Sequence, residues 1–249
     1  MEIIKIQERL LYMAKAIKHV LENNNIPYFI TYGTLLGAVR HRGFIPWDDD
    51  FDFYLFNDTY DEAIELLRKY LPGDISVEDK NSEPKFFHGW AHVKDLRSKA
   101  TNALFAQDGY YAHHGLSIDL YKATLSTENF ELIFRITEHL QYLDRRYSVG
   151  LLSQQEYDSR RSKLIPELVC ANQNYDPRNP GKEMYAFPPI YNDRIYPNEL
   201  FPLTQYKFED TEFLGPCNAD IFLRRCYGDY MTLPPVEKRV SHYSSIQFI

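Results

Sequence analysis

Between Tyr32 and Phe56 the chain reads YGTLLGAVRHRGFIPWDDDFDFYLF, which sets four aspartates, Asp48, Asp49, Asp50 and Asp52, among apolar and aromatic residues. Charge packed this densely repels itself and costs stability unless cations neutralise it. A solvated acidic face would not be threaded through Phe51, Phe53 and Leu55, which read as core. Strand periodicity over 49–56 puts Asp48, Asp50 and Asp52 on one face and Asp49, Phe51 and Phe53 on the other. Three carboxylates facing one way suit a hard divalent cation such as magnesium or manganese, and such ions accompany phosphate chemistry. An EF-hand does not fit, because no glycine follows the third aspartate and no glutamate closes the loop.

The rest of the chain supplies a frame for that strand. Ile6, Leu10, Met13, Ile17 and Val20/Leu21 recur at helical spacing and predict a helix over 3–24. A short strand is expected over 27–32, then the Gly33-Thr34 turn and a helix over 34–40. Asp58 is placed to cap a helix over 59–70. Strands are expected near 75–79, 86–93 and 116–121, and helices near 127–147 and 153–173. Segment 174–202 holds Pro177, Pro180, Pro188, Pro189, Pro197 and Pro202 with Tyr185, Phe187, Tyr191 and Tyr196. It reads as an irregular but ordered excursion over the site, since proline removes donors while the aromatics are too apolar for a free linker. Pro216 marks the start of a last helix running to Cys226, and Gly228 its end.

At 249 residues, 44 % hydrophobic and 25 % charged, one sizeable core is affordable within a single domain. The division expected is a core over 1–125 and a C-terminal half over 126–249. A net charge of −7 argues against a general nucleic-acid binder. No apolar run is long enough to span a bilayer, and the N-terminus does not read as a signal peptide. Three cysteines without a CxxC pair argue against a disulfide framework or a zinc site and suit a reducing cytoplasm.

The stretch YGTLLGAVRHRGFIPWDDDFDFYL closely resembles the signature of the LicD family of phosphocholine transferases and fukutin-type ribitol-phosphate transferases. GLSIDLY (115–121) and YGDYMTLPPVEKRVSH (227–242) match in family order. The resemblance implies a mixed α/β (α+β) fold: a nucleotidyltransferase-like mixed sheet flanked by helices, followed by a helical, proline- and aromatic-rich C-terminal half. It implies a CDP-linked donor and, as acceptor, a hydroxyl of a cell-surface glycan or its lipid-linked precursor. That places the protein in the cytoplasm, at the inner face of the membrane if it makes peripheral contact there. The implied reaction is transfer of phosphocholine, with ribitol phosphate and glycerol phosphate as variants of the group moved. A nucleotidyltransferase using a nucleoside triphosphate, or a sugar-nucleotide glycosyltransferase, would use similar acids.

Asp50 and Asp52 match the family's Asp-x-Asp pair and are expected to bind metal and to act in catalysis, with Asp48 beside them. Asp49 should point away. Asp119 is a single charge inside an apolar strand; the resemblance makes it the third acid, completing the metal site or acting as general base. Gly33 and Thr34 would let backbone amides approach a phosphate at a helix start. Arg40 and Arg42 are placed to neutralise phosphate. Lys94, Arg97, Arg239 and His242 are further candidates for substrate binding, and each reads equally well as a surface or structural charge. His88 and His92 give no clean metal spacing.

Overall fold

The computed structural model describes residues 2–83, 86, 88–102, 111–125, 130–172, 184–187 and 195–249. The first residues expected of the 127–147 helix, and Pro177, Pro180, Pro188, Pro189 and Tyr191 of the irregular segment, lie outside them. The core of the fold is one mixed sheet. Its strands are β1 (Tyr28–Ile30), β2 (Asp52–Phe56), β3 (Ile75–Glu78), β4 (Ala91–Asp95), β6 (Ser117–Leu125) and β7 (Met184–Phe187). The order is β1-β2-β6-β4-β3, with β7 pairing the far end of β6. Among the described residues only β2 and β6 run parallel, and their register sets Asp52 opposite Asp119. The other pairings are antiparallel.

Helix α1 (Glu2–Asn23) buries Ile6, Leu10, Met13, Ile17, Val20 and Leu21, the stripe its periodicity predicts. Helix α3 (Tyr60–Tyr70) lies beside α1 and buries Tyr60, Ala63, Ile64 and Leu67. The Tyr60 hydroxyl accepts from Ala91 N and donates to the Leu120 carbonyl, each at 2.8 Å, which ties the helix to two strands. Along β2 the alternation is strict. Tyr54 and Phe56 meet Phe29, while Phe53 packs against Tyr28, Phe51 and Phe213. Rings of this size dominate the apolar burial that stabilises the sheet.

Several expectations shift. The strand begins at Asp52 rather than at residue 49; the extended approach keeps the alternation, and the ladder reaches back through Asp119 N donating to Phe51 O at 3.1 Å. The strand expected at 86–93 lies at 91–95. Helix α3 is capped at Thr59, not Asp58, and without a side-chain bond. Helix α7 (Ala219–Tyr227) starts after Pro216, because Asn218 supplies the cap by accepting from Ile221 N. Within 174–202, residues 184–187 form β7 and Pro197–Leu200 form α6, so part of that segment is regular.

The C-terminal half contains α4 (Phe130–Ser148) and α5 (Gln154–Asn172), packed on each other. It is not helical throughout. Strands β8 (Thr204–Phe208) and β9 (Thr211–Gly215) form a hairpin against α2 (Tyr32–His41), and β10 (Tyr243–Phe248) pairs with β5 (Ser98–Asn102). No helix among the described residues is long and apolar enough to cross a membrane.

Candidate active site

A cavity of about 560 Å³ opens where the start of α2, the approach to β2, the end of α7 and the C-terminal tail converge. Asp48, Asp50 and Asp52 line it, with Gly33, His242 and the rings of Tyr32, Tyr121 and Tyr227. The small residue at position 33 has a direct cause. A Cβ there would stand 2.9 Å from Asp48 Oδ2, so only glycine leaves that carboxylate in place; Asp50 Oδ1, at 3.7 Å, would be in ordinary contact. Thr34 is buried, and its hydroxyl accepts from the Asp52 backbone N–H at 2.9 Å. Its side chain therefore fixes the acidic strand.

The acids are held in mutual repulsion. Burial, then repulsion from Asp50, pushes Asp48 up to about 8. Burial, then Asp50, Asp119 and Asp48, lifts Asp52 well above the usual carboxylate range. Burial also raises Asp50, against the pull of His242. Asp50 Oδ1 is buried with no hydrogen-bond partner. An orphaned carboxylate oxygen among acids that cannot all ionise could hold a hard divalent cation, and the all-oxygen donor set would suit one.

Asp119 stands one strand over. Burial raises it too. Tyr121 OH donates to Oδ2 at 2.9 Å, and His92 Nε2 lies 3.1 Å from Oδ1. Register explains this contact: His92 and Asp119 are cross-strand partners on β4 and β6. Sequence spacing gave no reason to pair His92 with an acid; a β4–β6 register would have. Lys94, buried on β4, adds a positive charge that favours the Asp119 carboxylate.

Asp49 turns away from the cavity, as periodicity predicts, but it is not idle. Its side chain is 0 % exposed and holds the C-terminal tail. Oδ1 accepts from His242 N at 3.0 Å and lies 2.8 Å from His242 Nδ1; Oδ2 accepts from Ser241 Oγ and from Tyr243 N. The hydrogen bond to Asp49, reinforced by Asp50 and Asp48, pushes His242 up to about 9. Burial would raise Asp49, but the His242 and Ser241 bonds outweigh it and hold the carboxyl low. One oxygen each of Asp48 and Asp49 and a His242 ring nitrogen lie within 4.8 Å of one another. Asp49 is the least available of these as a ligand, because both of its oxygens already accept.

The basic candidates scatter. Arg40 donates to the Tyr230 carbonyl and is close enough to Asp48 to feel its charge. Arg42 caps α2 in the left-handed region (φ 59°), is exposed, and receives Glu209 N at its carbonyl. Arg97 is exposed in the β4–β5 turn, where its carbonyl accepts from Ile249 N. Arg239 stacks over Trp47 at 4.5 Å and donates to the Pro234 carbonyl. Besides His242, Arg225 lines the cavity wall, held by Glu199 through contacts of 2.7 and 3.0 Å.

Paired strands that present carboxylates to a cavity beside a glycine turn suit chemistry on phosphate. Residues 25–146, which carry that sheet, match the family described as LicD/FKTN/FKRP, nucleotidyltransferase domain. Residues 25–146 thus carry the domain of the LicD family of phosphotransferases. The chain is 26 % identical over 246 residues to the lipopolysaccharide cholinephosphotransferase LicD of Haemophilus influenzae, covering 92 % of this chain and 91 % of that protein. It is 49 % identical over 61 residues to an uncharacterized protein of Rickettsia prowazekii, covering 24 % of this chain and 23 % of the relative.

Proposed function

We propose that this protein transfers a substituted phosphate, phosphocholine, from a CDP-linked donor to a hydroxyl of a cell-surface glycan or its lipid-linked precursor, with magnesium or manganese bound at the acidic cavity. The observation that carries the reading is the convergence of Asp48, Asp50 and Asp52 on one cavity, with Asp119 opposite Asp52 on the parallel strand. The relative named a lipopolysaccharide cholinephosphotransferase supports the choice of group and acceptor class.

Asp48, Asp50 and Asp52 would hold the metal, which would neutralise their charge and polarise the donor phosphate. Gly33 keeps the turn open enough for the donor to approach Asp48 and Asp50. Asp119 would accept the proton of the attacking hydroxyl as general base. The hydrogen bond from Tyr121 would hold one of its oxygens in place, with the His92 ring beside the other. The acceptor oxygen forms the new bond to phosphorus as the bond to cytidine monophosphate breaks. Arg40, Arg42, Lys94, Arg97, Arg239 and His242 remain candidates for charge on the donor or acceptor. Arg40 and His242 are placed best, since the one stands beside Asp48 and the other lines the cavity.

A thermal-shift panel with magnesium tests this. It contains CDP-choline, CDP-ribitol, CDP-glycerol, cytidine triphosphate and UDP- or GDP-sugars, on wild type and on Asp50→Asn with Asp52→Asn. A donor at about 100 times its Kd adds about 2.7 kcal/mol, or roughly 5–10 °C for a chain of this size. The expected result is a magnesium-dependent shift with CDP-choline that the double variant loses. A shift only with triphosphates or sugar nucleotides would overturn the reading.

A further inference from the structure

We propose that His92 is a positioning residue for Asp119, fixing the carboxylate that takes the proton of the attacking hydroxyl. The proposal rests on the reading of Asp119 as general base and adds a second residue to that step.

Strand register brings the two together. Asp52, Asp119, His92 and Glu78 are cross-strand partners in one row over β2, β6, β4 and β3. Opposed residues face the same side of a sheet, so this row is a line of ionisable groups leading away from the cavity. The rows on either side, Phe53–Leu120–Ala91 and Ile118–Val93–Val77, are apolar and point to the opposite face.

His92 is 4 % exposed, and its ring is clamped by neighbours. The ring of His88 stands 4.4 Å away and that of Phe86 5.0 Å away, centroid to centroid. Both ring nitrogens of His92 are buried without a hydrogen-bond partner. Nε2 nevertheless lies 3.1 Å from Asp119 Oδ1, one small turn of the carboxylate short of a bond. Shape alone does not explain a histidine here, since a phenylalanine would fill the space without stranding two nitrogens. Catalytic contacts are often misaligned before substrate binds and tighten in the complex. Tyr121 already donates to Oδ2 at 2.9 Å. A second bond, from His92 to Oδ1, stops the carboxylate from rotating and leaves its remaining lone pairs for the hydroxyl.

The test separates reach from polarity. Release of cytidine monophosphate from CDP-choline with magnesium is followed in wild type, His92→Gln, His92→Asn, His92→Phe, Asp119→Asn and His92→Phe with Asp119→Asn. A glutamine amide reaches as far as Nε2, an asparagine amide only as far as Nδ1, and phenylalanine has no polar atom. His92→Asn and His92→Phe should lower kcat about ten- to a hundredfold, the scale of one hydrogen bond to a charged group. KM for CDP-choline should not change, and His92→Gln should recover most of the loss. In the Asp119→Asn background His92→Phe should cost nothing further, because a positioning residue works only through the group it positions. Equal losses in the glutamine and asparagine variants, a risen KM with kcat intact, or additivity with Asp119→Asn would each overturn the proposal. The matched pair of amide variants keeps the test readable if His92→Phe does not fold. An Asp119→Asn enzyme with wild-type turnover would instead sink the general-base reading, and the proposal with it. If wild type releases no cytidine monophosphate, the donor reading falls and the same cycle is read by metal-free urea unfolding. A coupling between the two changes then keeps the pairing of His92 with Asp119, and strict additivity removes it.

Discussion

Asp49 and Asp50 are adjacent in the chain, and their carboxylates meet opposite fates. Asp49 is closed off from solvent, yet its proton affinity is lowered, because Ser241, His242 and Tyr243 donate to it. Asp50 faces the cavity with Asp48 and Asp52, its Oδ1 lacks a partner, and its proton affinity is raised. The difference separates two uses of a carboxylate in low dielectric. One is matched by donors from its own chain and builds structure. The other is left unmatched, the arrangement of a carboxylate that could take its counter-charge from a ligand.

The comparison breaks most sharply on substitution. Asp52→Asn should cut transfer by at least about a hundredfold, the scale of losing one preorganised electrostatic contact. The same change should raise the metal-free melting temperature, since it removes an acid that burial and Asp50 disfavour. Activity assays and metal-free scanning calorimetry check the two halves, and a fall in both would merge Asp52 with the structural class.

Asp49→Ala should do the reverse to stability. It strands the donors of the tail, and a loss of about 2–3 kcal/mol is expected, roughly 4–12 °C in melting temperature. An unchanged melting curve would mean that the tail docks without the clasp.

Acidity sharpens the contrast. His242 is raised from 6.5 to about 9 when folded, so its contribution is fully present below pH 6.5 and is lost as pH rises through about 9. Asp49 is lowered, so its contribution is present above the ordinary carboxylate range and lost as pH falls toward its folded value. Melting temperature should therefore decline from about pH 6.5 to above 9 in wild type, with the part due to the clasp absent in His242→Gln. The smallest effect is expected from Thr34→Val. It leaves the Asp52 N–H without its acceptor and should cost about 1–2 kcal/mol in denaturant unfolding.

Much of this site was legible because strand periodicity is local. Asp48, Asp50 and Asp52 share a wall, Phe51 and Phe53 are buried behind them, and Gly33 sits where the Asp48 carboxylate leaves no room for a side chain. The helix stripes of α1 and α3 were legible for the same reason. Partners distant in sequence were not. Asp49 finds donors more than 190 positions away, and His92 meets Asp119 only through the β4–β6 register. The arginines were legible only as charge near the motif, which says nothing about direction. Arg42 lies two residues beyond Arg40, yet it ends the helix in the left-handed region and leaves the cavity.

By itself the sequence determined the acidic strand, its alternation, the helices that cover the sheet and the resemblance to the LicD family, because these depend on near neighbours and on matched residues. Tertiary structure alone decided which acids are paired, which cations stand on the wall, and which rings surround the ligand space. Those outcomes depend on dielectric and on distance between remote segments. A carboxylate becomes a clasp or a ligand site according to which donors the fold brings within about 3 Å of it.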